Sequence, residues 1–222
     1  MLKLASLINL RAGLARHQDD ANRRSDSAAA GNTALVQGRQ MTEHLGRAME
    51  LLGHDKLEVR LGGIYALEQH IRDCEKDQGP IVEVLAAYVR QRAAWQDGEA
   101  PPERLASDIQ SVLTVLGRRP WSYQKEDKPL DLHGTILTKA YLPFAHLERA
   151  FLYQAHLEGA MLHQAHLQGA WLWGAHLTNA NLDAAHLQGA DLADAVGLTW
   201  EQLSTAHLDG ETKLPHYLLE AE

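Results

Sequence analysis

Cysteine, aromatic residues, basic charge and long apolar runs are all scarce in this 222-residue sequence, and each shortage closes off a class of protein. The single cysteine, Cys74, excludes an internal disulfide framework and any metal site built on paired cysteines, and it suits a reducing cytoplasm. No stretch approaches the roughly 18 apolar residues of a membrane span. Residues 1–16 hold too short an apolar stretch for a secretory signal. A net charge of −8 argues against a protein that grips phosphate backbones, so no direct nucleic-acid partner is expected. Aromatics are 6% of the chain, thin for the core of one or two ordinary domains. No phosphate-binding glycine loop, HExxH, GxSxG or usable Cys/His pairing is present, so no catalytic residue, cofactor or metal is assigned and enzyme activity is not expected. Cys74 and the pair Arg118-Arg119 read as incidental, the latter as a solvated helix end.

Charge is distributed unevenly. Residues 1–129 carry 18 basic and 18 acidic side chains, whereas residues 130–222 carry 3 and 11. Nine of the 13 histidines also lie in the second part. The shift predicts a boundary at a polar linker, residues 123–129. Before it, residues 1–32 read as an amphipathic segment followed by a polar linker, and residues 33–122 as a small α-helical, HEAT-like domain. Four helices are expected there. The first carries Leu35, Met41, Leu45 and Leu52, and the second Leu57, Leu61, Ile64, Leu67 and Ile71. The third starts after Gly79-Pro80, and the fourth follows Pro101-Pro102.

From Leu130 to Asp194 the chain divides into 13 pentapeptides without a gap. The central residue, i, is leucine in all 13, from Leu132 to Leu192, and i−2 is alanine in 11. Residues two apart in extended backbone point the same way, so each unit turns one small and one large apolar side chain inward. The i+2 position then falls at a corner. It holds Gly134, Gly159, Gly169, Gly174, Gly189, Asn179 and Asp194 among others, residues that tolerate tight or positive-φ backbone. An Ala/Leu interior also accounts for the few aromatics.

Segments such as Ala145-His-Leu-Glu-Arg149, Ala165-His-Leu-Gln-Gly169 and Ala190-Asp-Leu-Ala-Asp194 resemble the A(D/N)LXX unit of pentapeptide-repeat proteins. The stretch 55–68 and Gly117-Arg-Arg119 resemble the helical region that precedes the repeats in many bacterial members. The resemblance implies an α+β chain: a right-handed quadrilateral β-helix over 130–195 with four units per 20-residue coil, preceded by the helical domain. Residues 196–222 would close it, starting with a capping-box helix at Thr199-Trp-Glu-Gln202. Histidine at i−1 departs from the family's usual Asp or Asn.

Twenty-residue coils stack Phe151 with Trp171 and Tyr153 with Trp173 on one face, and Tyr141 and Met161 are expected at a neighbouring corner. With the interior filled by Leu and Ala, these rings face outward as a candidate contact surface. His146, His166 and His186 stack on one face and His156 and His176 on the opposite one. They read first as duplicated, solvated AHL units with no recurring carboxylate beside them, and second as a pH-sensitive or metal-sharing strip. The leading functional expectation is a non-catalytic protein-interaction module, with a partner of unknown identity or a homodimer through the aromatic face or the C-terminal tail. The resemblance also offers a DNA mimic that binds a type II topoisomerase (gyrase) and confers resistance to its inhibitors. A third reading is a cytoplasmic scaffold peripheral to the inner membrane, held by residues 1–16.

Overall fold

A computed structural model describes residues 43–96, 102, 104–119 and 128–220. Expectations for the amphipathic segment, the polar linkers before residue 128 and the leading part of the first helix lie outside these residues. Two compact units divide the chain at Arg47, and apart from residues 43–47 everything described belongs to the second, Ala48–Glu222.

Helix α1 covers residues 43–52. Helices α2 (Leu57–Asp73), α3 (Glu75–Arg92) and α4 (Ser107–Gly117) pack against one another. Their apolar stripes form one core, with Ile64, Leu67 and Ile71 meeting Ile81, Leu85, Val89, Ile109, Val112, Leu113 and Leu116, all buried. The third helix begins earlier than the Gly79-Pro80 pair predicts, with Pro80 inside it. Pro80 sits close enough to the helix start to forfeit a single backbone bond, and its ring faces solvent. Among the described residues no helix is long and apolar enough to cross a membrane.

The repeat region winds into stacked coils. Parallel bridges join residues 20 apart on four faces: Asp131–Phe151–Trp171–Asp191, Ile136–His156–His176–Val196, Tyr141–Met161–Asn181 and His146–His166–His186. Each bridge is isolated, because the backbone turns a corner before a longer ladder can form. All 13 i+2 residues carry φ between 52° and 65°, eight of them without being glycine. Hydrogen bonds such as Ala140 N–H to Leu137 carbonyl close these corners, in the manner of type II turns. Every central leucine is buried, as is every i−2 residue. Thr135, one of the two i−2 residues that are not alanine, satisfies its buried hydroxyl by donating to the Leu132 carbonyl.

Both open edges of the coil are covered. At the first coil, Ile136 N–H donates to the Ala93 carbonyl and His146 N–H to the Gly117 carbonyl. The Gln110 side-chain amide accepts from Tyr141 N–H and donates to the Tyr141 carbonyl, both at 2.9 Å, as a neighbouring strand residue would. Arg90 donates to the Asp131 carbonyl at 2.6 Å. The helical layer thus reaches all four faces. Gly117 is required at its contact, since a Cβ there would stand 2.9 Å from Ala145 Cβ.

At the other end the ladders outlast the regular repeats. His207 continues the His186 ladder and Lys213 the Asp191 ladder. Helix α5 (Trp200–Leu203) starts with the capping box formed by Thr199 and Gln202. Gln202 Nε2 also donates to the carbonyls of Leu177 and Ala180. Helix α6 (His216–Leu219) brings Tyr217, whose hydroxyl donates to the Ala195 carbonyl and accepts from Leu198 N–H.

Candidate functional site

The four-sided coil fixes which outward side chains can meet. Phe151 and Trp171 are bridge partners with ring centroids 5.2 Å apart. Tyr153 stands 6.4 Å from Phe151 and stacks at 4.7 Å on His133. Trp173 follows on the same side and donates from Nε1 to Asp194 at 2.9 Å. Trp171 and Trp173 keep 56% and 45% of their surface open to solvent, whereas Phe151 and Tyr153 are half-buried. Tyr141 and Met161 are exposed bridge partners of each other, but two faces away, so the coil does not bring them to the tryptophans. A neighbouring corner would have required an offset of five residues, and Tyr141 stands ten before Phe151.

The histidines form two columns. In one, His146, His166, His186 and His207 stack nearly parallel at 4.7, 5.0 and 4.7 Å. In the other, Trp95 stacks on His156 at 3.7 Å and His156 on His176 at 4.2 Å. The expectation that these side chains are solvated and lack carboxylates needs correction. His156 is buried beneath Trp95, and Glu148 and Glu158 stand two residues after the first histidine of each column. Glu148 Oε1 is 2.9 Å from His146 Nδ1, and Glu158 Oε1 is 3.0 Å from His156 Nδ1. Histidine and glutamate fall at i−1 and i+1 of one unit, which projects both side chains outward together. Burial is the leading cause that holds the His166 and His176 imidazoles below their ordinary value of 6.5. Positive charge on stacked neighbours adds to the effect, and Glu148 and Glu158 oppose it.

Arg119 is not the solvated helix end that its sequence position implies. It is 6% exposed, bonds the Leu116 carbonyl at 2.8 Å, and burial pushes its guanidinium down to about 10 against the restoring charge of Glu148. Glu148 is itself buried, so the two charges compensate each other inside the helix–coil junction. His207 and Trp95 extend the columns from outside the pentapeptide register, where nothing in the spacing marks them. Cys74 also has partners: His70 Nε2 lies 2.8 Å from Asp77 Oδ2, and Cys74 Sγ lies 3.2 Å from the same oxygen. Residues 70, 74 and 77 have the i, i+4, i+7 spacing of one helix face, and the joint between α2 and α3 keeps their side chains together.

The family model for pentapeptide repeats matches residues 162–196, with eight copies of the unit. Among solved structures, the chain is 32% identical to Rfr23, a pentapeptide repeat protein from the cyanobacterium Cyanothece 51142, over 40% of this chain and 67% of that one, with a TM-score of 0.24. It is 38% identical to HetL, a pentapeptide repeat protein involved in heterocyst differentiation regulation in Nostoc sp. strain PCC 7120, over 29% of this chain and 30% of that one, with a TM-score of 0.24. A pentapeptide repeat protein from the Arabidopsis thaliana thylakoid lumen is 27% identical over 36% of this chain and 55% of that one, with a TM-score of 0.22. The match thus spans two thirds of the first of these and a smaller share of the other two. No curated protein sequence matches the chain.

Proposed function

This chain belongs to the pentapeptide-repeat family, whose members fold as right-handed β-helices and are generally structural or interaction proteins, and from that premise we propose that it is a non-catalytic protein-interaction module. The observation that carries the reading is the pair Trp171 and Trp173, about half exposed on adjacent outward positions of one coil. Tryptophan is among the side chains that contribute most to protein contacts when buried against a partner. The coil holds both rings on a backbone hydrogen-bonded to the coils above and below, so little ordering entropy is lost on binding. Phe151, Tyr153 and His133 extend the patch along the same face.

Charge supports this reading over mimicry of a duplex. The coil's carboxylates are engaged within the chain. Arg90 holds Asp131, buried Glu148 faces Arg119, His156 and His176 hold Glu158, Lys213 holds Asp191 and Trp173 holds Asp194. Of the coil's six carboxylates, Asp131, Glu148 and Asp191 are thus matched by arginine or lysine of the chain itself, which leaves fewer free charges than a row of phosphates presents.

The test is crosslinking with affinity capture from the source cell, comparing the native chain with a Trp171→Ser/Trp173→Ser variant. Both rings lie outside the Ala/Leu interior, so the variant should keep its unfolding midpoint while losing the captured partner. A partner retained in full by the variant would sink the reading.

A further inference from the structure

Between α2 and α3 a single residue, Cys74, stands in extended backbone with φ −134° and ψ 100°. Its N–H still donates to the His70 carbonyl at 2.9 Å, and its carbonyl accepts from Asp77 N–H at 3.3 Å, so both helices are tied to it. This joint turns three chemically different donor atoms toward one point. His70 Nε2, Cys74 Sγ and Asp77 Oδ2 all lie within 4.8 Å of one another. One carboxylate oxygen receives both the imidazole and the thiol, at 2.8 and 3.2 Å.

We propose that His70, Cys74 and Asp77 bind one divalent cation of the zinc class. Thiolate, imidazole and carboxylate are the ligands that zinc takes, with bonds of about 2.3, 2.0–2.1 and 2.0–2.2 Å. A tetrahedral shell with those bond lengths sets its ligand atoms about 3.5 Å apart, so the His70–Asp77 and Cys74–Asp77 pairs need to open by less than about 1 Å, while the His70–Cys74 pair already lies within 4.8 Å. On binding, the Cys74 thiol proton leaves to solvent, and the His70 ring proton moves from Nε2 to Nδ1. The fourth position falls to water, because the Asp77 side chain is 37% exposed while that of His70, at 6%, is held by the core.

The two histidine–glutamate groups of the coil are poorer sites. Their imidazoles stack in parallel at 4.2 and 4.7 Å, so the ring lone pairs run side by side instead of converging. Glu148 is already the charge partner of buried Arg119. Neither group contains a thiol.

Cobalt(II) titrated into the full chain, kept reduced with a phosphine, tests the site. Cys74 is the only cysteine, so a thiolate-to-cobalt charge-transfer band can arise nowhere else. The expected result is that band at one cobalt per chain, its displacement by zinc, and a rise in unfolding temperature with zinc. Cys74→Ser should abolish the band, and both Cys74→Ser and Asp77→Asn should weaken zinc binding at least tenfold. The proposal is overturned if the native chain gives no charge-transfer band, if one cobalt serves two chains, or if zinc binds both variants as tightly as the native protein. The native spectrum decides the matter even where a variant fails to fold.

Discussion

At the thirteen corners of the coil, lysine, phenylalanine, arginine, glutamine and alanine adopt the same left-handed backbone as glycine and asparagine. An L-residue loses about 1–2 kcal/mol there, and the hydrogen bonds that close the corner and join the coils offset it. Residue type marked the glycine corners, but Phe144 and Lys139 became legible only through the invariant leucine two positions earlier. Register, rather than propensity, carries the information. The imidazole columns lead to a pH prediction at this same scale. The folded chain holds His166 and His176 below 6.5, so just under that value it binds fewer protons than the unfolded chain. Stability is therefore level above pH 6.5, falls as the pH drops through it toward the depressed values, and then levels again. The urea midpoint should be lower at about pH 5.5 than at about pH 7.5, and His166→Gln/His176→Gln should flatten the difference. An unchanged pH slope in that variant would remove these imidazoles as its cause.

Among the helices the decisive contact is polar. Asp108, 2% exposed in the first turn of α4, receives Arg60 Nε from α2 at 2.7 Å and the Tyr88 hydroxyl from α3 at 2.6 Å. Burial alone would raise its carboxyl, but the bonds from Tyr88 and Arg60 prevail and hold it below the usual range. Arg60 also donates to the carbonyls of His54 and Asp55, and Arg92 lies over the Tyr88 ring at 5.4 Å. Replacing Asp108 by alanine leaves Arg60 only the His54 and Asp55 carbonyls and deprives the buried Tyr88 hydroxyl of its acceptor, and should cost about 1–3 kcal/mol, measured by chemical denaturation. A loss below about 1 kcal/mol would mean that water already compensates the arginine. The apolar period of α2, α3 and α4 is plain in the sequence, but this network is not. Its partners are 48 and 20 residues apart, and an aspartate near a helix start ordinarily reads as a partner for the helix dipole.

Across the described part of the second unit, helices and coil share one interface of backbone bonds. Gln110 takes the part of a missing strand against Tyr141, and Ala93 and Gly117 supply carbonyls to Ile136 and His146. The two parts should therefore unfold together. Far-ultraviolet ellipticity, dominated by the helices, and tryptophan emission, which includes Trp171 and Trp173, are expected to report a single midpoint. Gln110→Ala leaves the Tyr141 N–H and carbonyl to water and should lower that midpoint for both probes, with a stability loss of about 1 kcal/mol. Two separate transitions in the native protein would instead make the helical layer an independent neighbour. The repeat was legible in full because leucine recurs without exception, while this lid was not, since its contacts are made by main chain and one amide.

The 20-residue return of the coil also governs how such a chain can grow. Duplicating four units after Ala160 would add a storey and leave every later side chain on its original wall, with both lids intact. Inserting a single unit there would rotate everything downstream by a quarter turn. Trp171 would move to the wall that His176 now occupies, away from Phe151, and His166 would no longer sit above His146. Length in this architecture is a continuous variable only in steps of a full turn; any smaller step rewrites the surface.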